Sequence, residues 1–411
     1  MVAAKKKTGR EVLAELRKEY NTDYDVIGTL TDINKPQQAY STGNLGLDFL
    51  TGIGGFPRGK IVELHGPFSS GKSTSAFMAM AQEQKKIIEE NDEDAMIVFL
   101  DYERSLDPKY CFNLGLDVSH ESFVYIRPES LEQGVNLFRK LLDTGCVRIA
   151  CFDSVAAMVS EKEKSAETGA ITVADRAKAL HQVCRQIKDD LDIYGTTAIF
   201  LNHTLEKVAT DPMSQKMAAR GIKQMTQPGG QALPFYASLR IEYKKTGQVK
   251  TKELDALKDS EDETVSGQKI SATVIKNKVA PAFSTTELRV RRNKGFSQAW
   301  SVLTVLTSHS VIKAGSTGWY EIPERLVPSD LKSKVKDGIY KQRSEETILK
   351  LLDASDEFLS LCETEARGIL EQFGLPRVDG TIYNSNGEID EESLDALPVS
   401  KNLGEFGENL S

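Results

Sequence analysis

KIVELHGPFSSGKST, residues 60–74, is the stretch that decides the fold. Its first six residues read as a buried apolar strand, and its end opens a helical pattern that runs from Ser73 to Glu90. Between the two, Gly66-Pro67-Phe68-Ser69-Ser70-Gly71-Lys72-Ser73 fits the order Gly, any four residues, Gly, Lys, then Ser or Thr, with Thr74 following. This is the phosphate-cradling loop, in the strand-to-helix setting that the motif requires. Its glycines let backbone amides point inward at phosphates, and the helix N-terminus adds partial positive charge. Lys72 is placed to reach β- and γ-phosphates, and the Ser73 hydroxyl to complete the shell of a Mg²⁺ ion. By average residue frequencies the pattern arises by chance in such a chain about once in a hundred.

Outward from this loop, short apolar runs alternate with helical segments. AMIVFLD, FVYIRP, VRIACFD and TAIFLN are rich in Val, Ile and Phe, and between them lie helical patterns over Leu131–Asp143 and Arg176–Ile193. Buried strands alternating with helices imply an α/β fold with a mostly parallel sheet flanked by helices. From Phe235 to Val290 the runs SLRIEYKK, KISATVIK and TELRVRR extend the sheet with antiparallel members, and the charged, aperiodic Lys250–Gly267 reads as a surface loop. Arg10–Tyr20 reads as an amphipathic helix with Val12, Leu16 and Tyr20 on one stripe. Past Gly295 the elements become short and mixed, and acidic helical segments follow around Ser344–Phe373.

The 411 residues suit two or three units, and 40% apolar residues suffice for a sizeable core. No run of about 18 apolar residues suggests a membrane span, and the basic start MVAAKKKTGREVLAEL has no apolar stretch behind it, so it does not read as a secretory signal. Five scattered cysteines without a CxxC pair argue against a disulfide framework and a zinc site, and for a reducing cytoplasm. Cys151, inside an apolar run, reads as a small buried hydrophobe. The net charge of −8 hides a split: Ser344–Ser411 carries 16 acidic and 4 basic residues, a balance of −12, which leaves +4 on the first 343 residues. An acidic chain of this kind still admits a polyanionic partner.

Several further side chains suit chemistry at this loop. Asp153 ends an apolar run, where a phosphate-loop fold holds its magnesium, usually through water. Asp101 and Glu103 follow AMIVFL at the nucleotide edge of the sheet; either suits the base that orients the attacking water, and strand spacing leaves the choice open, with the other turning the loop. His203, after TAIFLN, is placed to sense a terminal phosphate, whereas His65, His120, His181 and His309 show no metal-ligand spacing. Two long polar stretches, Ser160–Thr172 and Thr204–Pro228, have the length of functional loops. In and beside them Arg176, Lys207, Lys216, Arg220 and Lys223 suit phosphate-backbone contacts. They offer no aromatic for base stacking.

The chain resembles the RecA-type recombinases over about residues 38–320. The matching stretches are STGNLGLDFLTGIGGFPRGKIVELHGPFSSGKST, FLDYERSLDPKY, FDSVAA, GGQALPFYAS and VIKNKVAPAF. The resemblance implies that Glu103, rather than Asp101, is the catalytic glutamate, and that Asp107 and Tyr110 bracket an adenine, Tyr110 by stacking. Lys276 and Lys278 match lysines that reach the ATP of a neighbouring protomer, so the site would be completed in a filament. The segments around 160–173 and 204–228 match two DNA-binding loops, with Arg176 after the first and Gly229-Gly230 closing the second. The N-terminal helix would dock on an adjacent subunit. Three departures stand out: His203 in place of the Gln of cellular members, as in some phage-encoded relatives; a longer second loop without its aromatic; and a longer C-terminal region in which only GWY, at Gly318–Tyr320, matches.

The expected architecture is therefore a RecA-like ATPase core at 38–294, an N-terminal oligomerisation helix and linker at 1–37, a small C-terminal domain at 295–377, and an acidic mobile tail at 378–411. The expected function is an ATP- and Mg²⁺-dependent recombinase that forms helical filaments on single-stranded DNA and pairs it with duplex DNA, aided by single-strand-binding and loader proteins. The competing readings are a non-catalytic mediator of recombination and a hexameric helicase of the same fold.

Overall fold

The computed structural model describes residues 9–20, 37–165, 173–206, 225–249, 267–281, 284–291, 293–315 and 318–372. Lys207, Lys216, Arg220 and Lys223, most of the loop expected at Lys250–Gly267, and the tail from Val378 lie outside these residues. Two compact units emerge, Met1–Gln37 and Gln38–Ser411. In the first, helix α1 (Gly9–Tyr20) forms where the amphipathic pattern places it, with Val12, Leu13 and Leu16 exposed.

The second unit is built on a nine-stranded sheet. In chain order its strands are β1 (Ile61–Gly66), β2 (Met96–Asp101), β3 (Phe123–Ile126), β4 (Val147–Asp153), β5 (Thr197–His203), β6 (Leu239–Val249), β7 (Gly267–Asn277), β8 (Thr285–Arg291) and β9 (Gly295–Phe296). Across the sheet the order is β9-β8-β7-β6-β1-β5-β4-β2-β3. Pairings from β6 through β3 are parallel, and those from β6 outward to β9 are antiparallel, as the later runs suggested.

The apolar runs stay strands because both sheet faces are covered. On β2, Ile97 and Phe99 turn to one face and pack with Phe77 and Met80 of helix α2 (Lys72–Glu90). Val98 and Leu100 turn to the other, into a core shared with helices α3 (Leu131–Leu142) and α4 (Val173–Tyr194). Phe152 and Phe200, both fully buried, stack there at 4.3 Å; truncating either to Ala would cost about 3–5 kcal/mol. A third core joins helix Gln298–Ser308, helix Glu345–Ala354 and helix Asp356–Gln372 through Val302, Leu306, Ile348, Leu352 and Phe358. It also takes in Leu45 and Ile53 from the segment ahead of β1, so the C-terminal elements pack on the start of this unit. A three-stranded antiparallel sheet, Lys313–Ala314, Trp319–Pro323 and Ile339–Arg343, lies among them. Among the described residues no helix is long and apolar enough to cross a membrane.

Parallel pairing puts the C-terminal ends of β1, β5, β4 and β2 at one edge. Register completes the placement: Gly66 lies beside His203, and Asp101 beside Asp153. Four chain-distant strand ends thus meet where α2 begins.

Candidate active site

The phosphate loop links β1 to α2. Gly66 has φ +156°, and a Cβ there would fall 2.3 Å from the Tyr243 carbonyl oxygen, so only glycine fits. Gly71, at φ +90°, caps α2 with no side chain to occupy the first-turn amides. Those amides stay available to an anion, and the Ser70 hydroxyl beside them is buried without a hydrogen-bond partner. An orphaned donor at the mouth of a bare helix N-terminus fits a bound phosphate.

Lys72 is 5% exposed, and its ammonium donates to the carbonyls of Gly66 (3.0 Å) and Pro67 (2.8 Å) and to Nδ1 of His203 (3.4 Å). Burial lowers its pKa to about 8, against the opposing pull of Asp153 and Glu103. Because an ammonium only donates, Nδ1 of His203 is the acceptor and Nε2 carries the ring proton, which it gives to Glu103 Oε1 at 3.0 Å. Ser154 donates its hydroxyl to the same carboxylate. The His203 hydrogen bond, followed by that of Ser154, holds the Glu103 carboxyl below its usual range, with partial burial opposing. The ring of Phe68 lies over His203, centroids 4.1 Å apart and planes 27° from parallel.

Asp153 is 6% exposed, and its pKa is pushed up to about 7, first by burial and then by the charges of Glu103 and Asp101. Lys72 and a hydrogen bond from Ser73 oppose that rise without cancelling it. A buried carboxylate short of compensating charge, beside a hydroxyl, is an oxygen donor set suited to a hard divalent cation.

Asp101 and Glu103, alike in spacing, separate cleanly in space. Asp101 is fully buried, and it accepts the amides of Arg104 (2.6 Å), Ser105 (3.2 Å) and Leu106 (3.2 Å) and the Tyr125 hydroxyl (2.9 Å). Its oxygens are spent on turning the loop, whereas Glu103 faces Lys72 and His203. Asp107 N-caps the short helix Pro108–Asn113 by accepting from the amides of Lys109 and Tyr110. The Tyr110 hydroxyl bonds Thr74 Oγ1 at 2.7 Å, tying that helix to the first turn of α2.

Other candidate residues lie apart from this cluster. Lys276, on β7, is separated from β1 by β6, and its ammonium donates to the carbonyls of Pro234 (2.7 Å) and Phe235 (3.0 Å). Partial burial, then Lys278 and Arg240, lower its pKa to about 8. Lys278 follows the end of the same strand. Arg176, in the first turns of α4, pairs with Glu163 of the short helix Glu161–Ser165. Gly229 and Gly230 turn the chain against Leu180 and Ala177 of α4.

Three features escaped the sequence reading. Ser154, the residue after Asp153, is one. The stack of Phe68 on His203 is another: Phe68 belongs to the expected nucleotide-binding loop, but the motif leaves its side chain free. The third is a buried polar network: Glu63, fully buried, pairs with Arg240 Nε (2.5 Å) and accepts from Asn202 Nδ2 (2.8 Å). Arg240 also donates to Gln227 (2.8 Å), and Gln227 reaches His65 at 2.9 Å. A glutamate in the middle of IVELH was the available signal, because a charge within a buried strand demands a partner.

The RecA N-terminal domain family model matches residues 9–297. Protein RecA of Streptococcus pyogenes serotype M1 is 32% identical over 344 residues, which cover 79% of this chain and 84% of that protein. Protein RecA of S. pyogenes serotype M5 (strain Manfredo) is 32% identical over 342 residues, with the same shares. With a family model over most of its length and relatives aligned along four fifths of theirs, the chain belongs to the RecA family.

Proposed function

We propose that this protein is a DNA-dependent ATPase that forms filaments on single-stranded DNA and carries out homologous pairing and strand exchange. The observation that carries the reading is the unbroken contact chain from Lys72 through His203 to Glu103 at the mouth of the phosphate loop. A loop that only bound nucleotide would have no use for a partly exposed carboxylate held in its charged form beside the lysine.

In this reading the amides of Gly66–Thr74 receive the phosphates of ATP, and Lys72 exchanges its two carbonyl acceptors for phosphate oxygens. Ser73 and Asp153 hold Mg²⁺, which when bound supplies neutralising charge to the triphosphate. Glu103 orients the attacking water and takes its proton. His203 responds to the terminal phosphate from the strand end that leads into the second loop. Tyr110 and Asp107 flank the adenine. Lys276 and Lys278 extend to the nucleotide of a neighbouring protomer, a reading supported by the fact that neither lysine forms an ion pair among the described residues. Arg176, Lys207, Lys216, Arg220 and Lys223, with Gly229 and Gly230, line the DNA path, so binding is salt-sensitive and nearly indifferent to sequence. Residues 1–37 serve protomer contact, 295–377 form a C-terminal domain, and the protein works in the cytoplasm alongside single-strand-binding and loader proteins.

The deciding experiment measures ATP hydrolysis with and without single-stranded DNA, together with strand exchange between homologous DNAs. DNA-stimulated hydrolysis with exchange is the expected result; a hydrolysis rate indifferent to DNA overturns the reading.

A further inference from the structure

The phosphate-loop pattern is indifferent to the residue at position 68, yet this chain puts a phenylalanine there and leaves it 63% exposed. A large apolar ring at the rim of a polyanion site gains nothing from phosphate and little from burial. What it does gain is the face of His203, at 4.1 Å and 27°. The consequence follows from imidazole geometry. Both ring nitrogens direct their hydrogen bonds within the ring plane, so the orientation of that plane decides whether Nδ1 meets Lys72 and Nε2 meets Glu103 together. A face-on neighbour fixes the plane while leaving both edges free.

We propose that Phe68 is a positioning residue that clamps the His203 imidazole edge-on between Lys72 and Glu103. Its role in turnover rests on the ATPase reading above. Phe68 belongs to the loop that phosphate occupies, and His203 ends the strand that leads into the second long loop. The stack is therefore a second side-chain link from the phosphate loop to that strand end, beside the Lys72–His203 contact. Phe68 touches no reacting atom in this role; it acts through His203.

The test compares Phe68→Ala, Phe68→Leu and Phe68→Tyr, each alone and with His203→Ala, in the full-length protein with single-stranded DNA and ATP. Loss of an aromatic stack predicts that Phe68→Ala lowers kcat about 2- to 10-fold, with KM for ATP held within about twofold. Phe68→Tyr keeps the face and restores kcat, whereas Phe68→Leu keeps bulk alone and does not. In the His203→Ala background, Phe68→Ala has no further effect. A loss confined to KM, equal rescue by Leu and Tyr, or a full additional loss without His203 would each overturn the proposal. A second readout needs no hydrolysis. In histidine-labelled protein, the ring-proton signals that vanish in His203→Ala should lie upfield under the Phe68 ring and move downfield in Phe68→Ala. Unmoved signals would show that the clamp does not exist in solution. A chain that hydrolyses no ATP under any condition would overturn the functional reading and the role of Phe68 in turnover. The histidine signals would still report separately on the clamp.

Discussion

Lys72 and Lys276 are held alike and surrounded oppositely. Each ammonium donates to two consecutive backbone carbonyls, Gly66 and Pro67 for one, Pro234 and Phe235 for the other. Each is brought down to about pKa 8 chiefly by burial. Around Lys72 the charges are mainly acidic: Asp153 and Glu103 pull its pKa up, and only Lys245 opposes them. Around Lys276 they are mainly basic: Lys278 and Arg240 push it further down, and only Glu63 opposes them. The first lysine sits among carboxylates of its own chain. The second sits beside Lys278 and Arg240; Arg240 is paired with Glu63, whereas neither Lys276 nor Lys278 forms an ion pair among the described residues. Two neighbouring cations without a direct anionic partner disfavour each other's charge, and an anion from outside the chain would relieve this. That asymmetry is a physical argument, independent of resemblance, for reading the β7 lysines as half of a site.

The largest effect should come from the side of Lys72. Glu103→Gln preserves shape and the Ser154 contact but removes the base, so DNA-stimulated turnover should fall by about 100-fold or more. Nucleotide binding, followed with a fluorescent ATP analogue, should survive. Near-normal phosphate release would assign the base elsewhere and end the comparison at its first term. Lys276→Ala combined with Lys278→Ala strikes the other side and should remove about 10-fold or more of DNA-stimulated hydrolysis, again without loss of nucleotide binding to the isolated chain. Mixing the two inactive proteins sharpens the point. If each site draws Glu103 from one protomer and the lysines from the next, mixed filaments contain some intact sites, and hydrolysis reappears on mixing. Two defects within a single-chain site would stay silent together.

How much of this could be read in advance follows from what kind of signal each residue carries. The α/β sheet was legible because both faces are buried, which makes every core strand a continuous apolar run. Lys72, Ser73 and the glycines were legible because a phosphate loop constrains four positions of one short stretch at once. Resemblance separated Asp101 from Glu103 but spacing did not, because a spacing of two says which side of a strand a residue takes and nothing about which amides wait there. Only the turn at Arg104–Leu106, folding back on Asp101, consumes that carboxylate. The Glu63–Arg240–Asn202 network was hidden for the opposite reason: its members are 177 and 139 residues apart, and strand register alone brings them together. Resemblance named Lys276 and Lys278, but that neither forms an ion pair among the described residues is visible only in the fold.

The smallest expected effect is a displaced pH limb, and it tests the comparison most narrowly. A lysine whose pKa falls from 10.5 to about 8 on folding is strained while charged. The penalty is full below pH 8, where both folded and unfolded chains carry the proton, and it fades as pH rises from 8 towards 10.5. Function runs the other way, because a neutral amine cannot hold a neighbour's phosphate. Assembly from free protomers, in which Lys276 has yet to meet the neighbouring phosphate, should therefore weaken as pH passes about 8, and DNA-stimulated hydrolysis limited by that step should decline with it. Lys72 has the same value in the free chain, so the profile is best taken at saturating ATP, where phosphate on Lys72 favours its charged form and shifts its titration upward. Lys276→Arg then separates the two. A guanidinium stays charged throughout this range, so the variant should hold its activity to higher pH even if its fork fits less well and the plateau drops. The shape of the profile, and not its height, is the measurement. If the arginine variant declines at the same pH as the parent, the limb belongs to Lys72, and Lys276 is not the cation on which assembly-dependent hydrolysis turns.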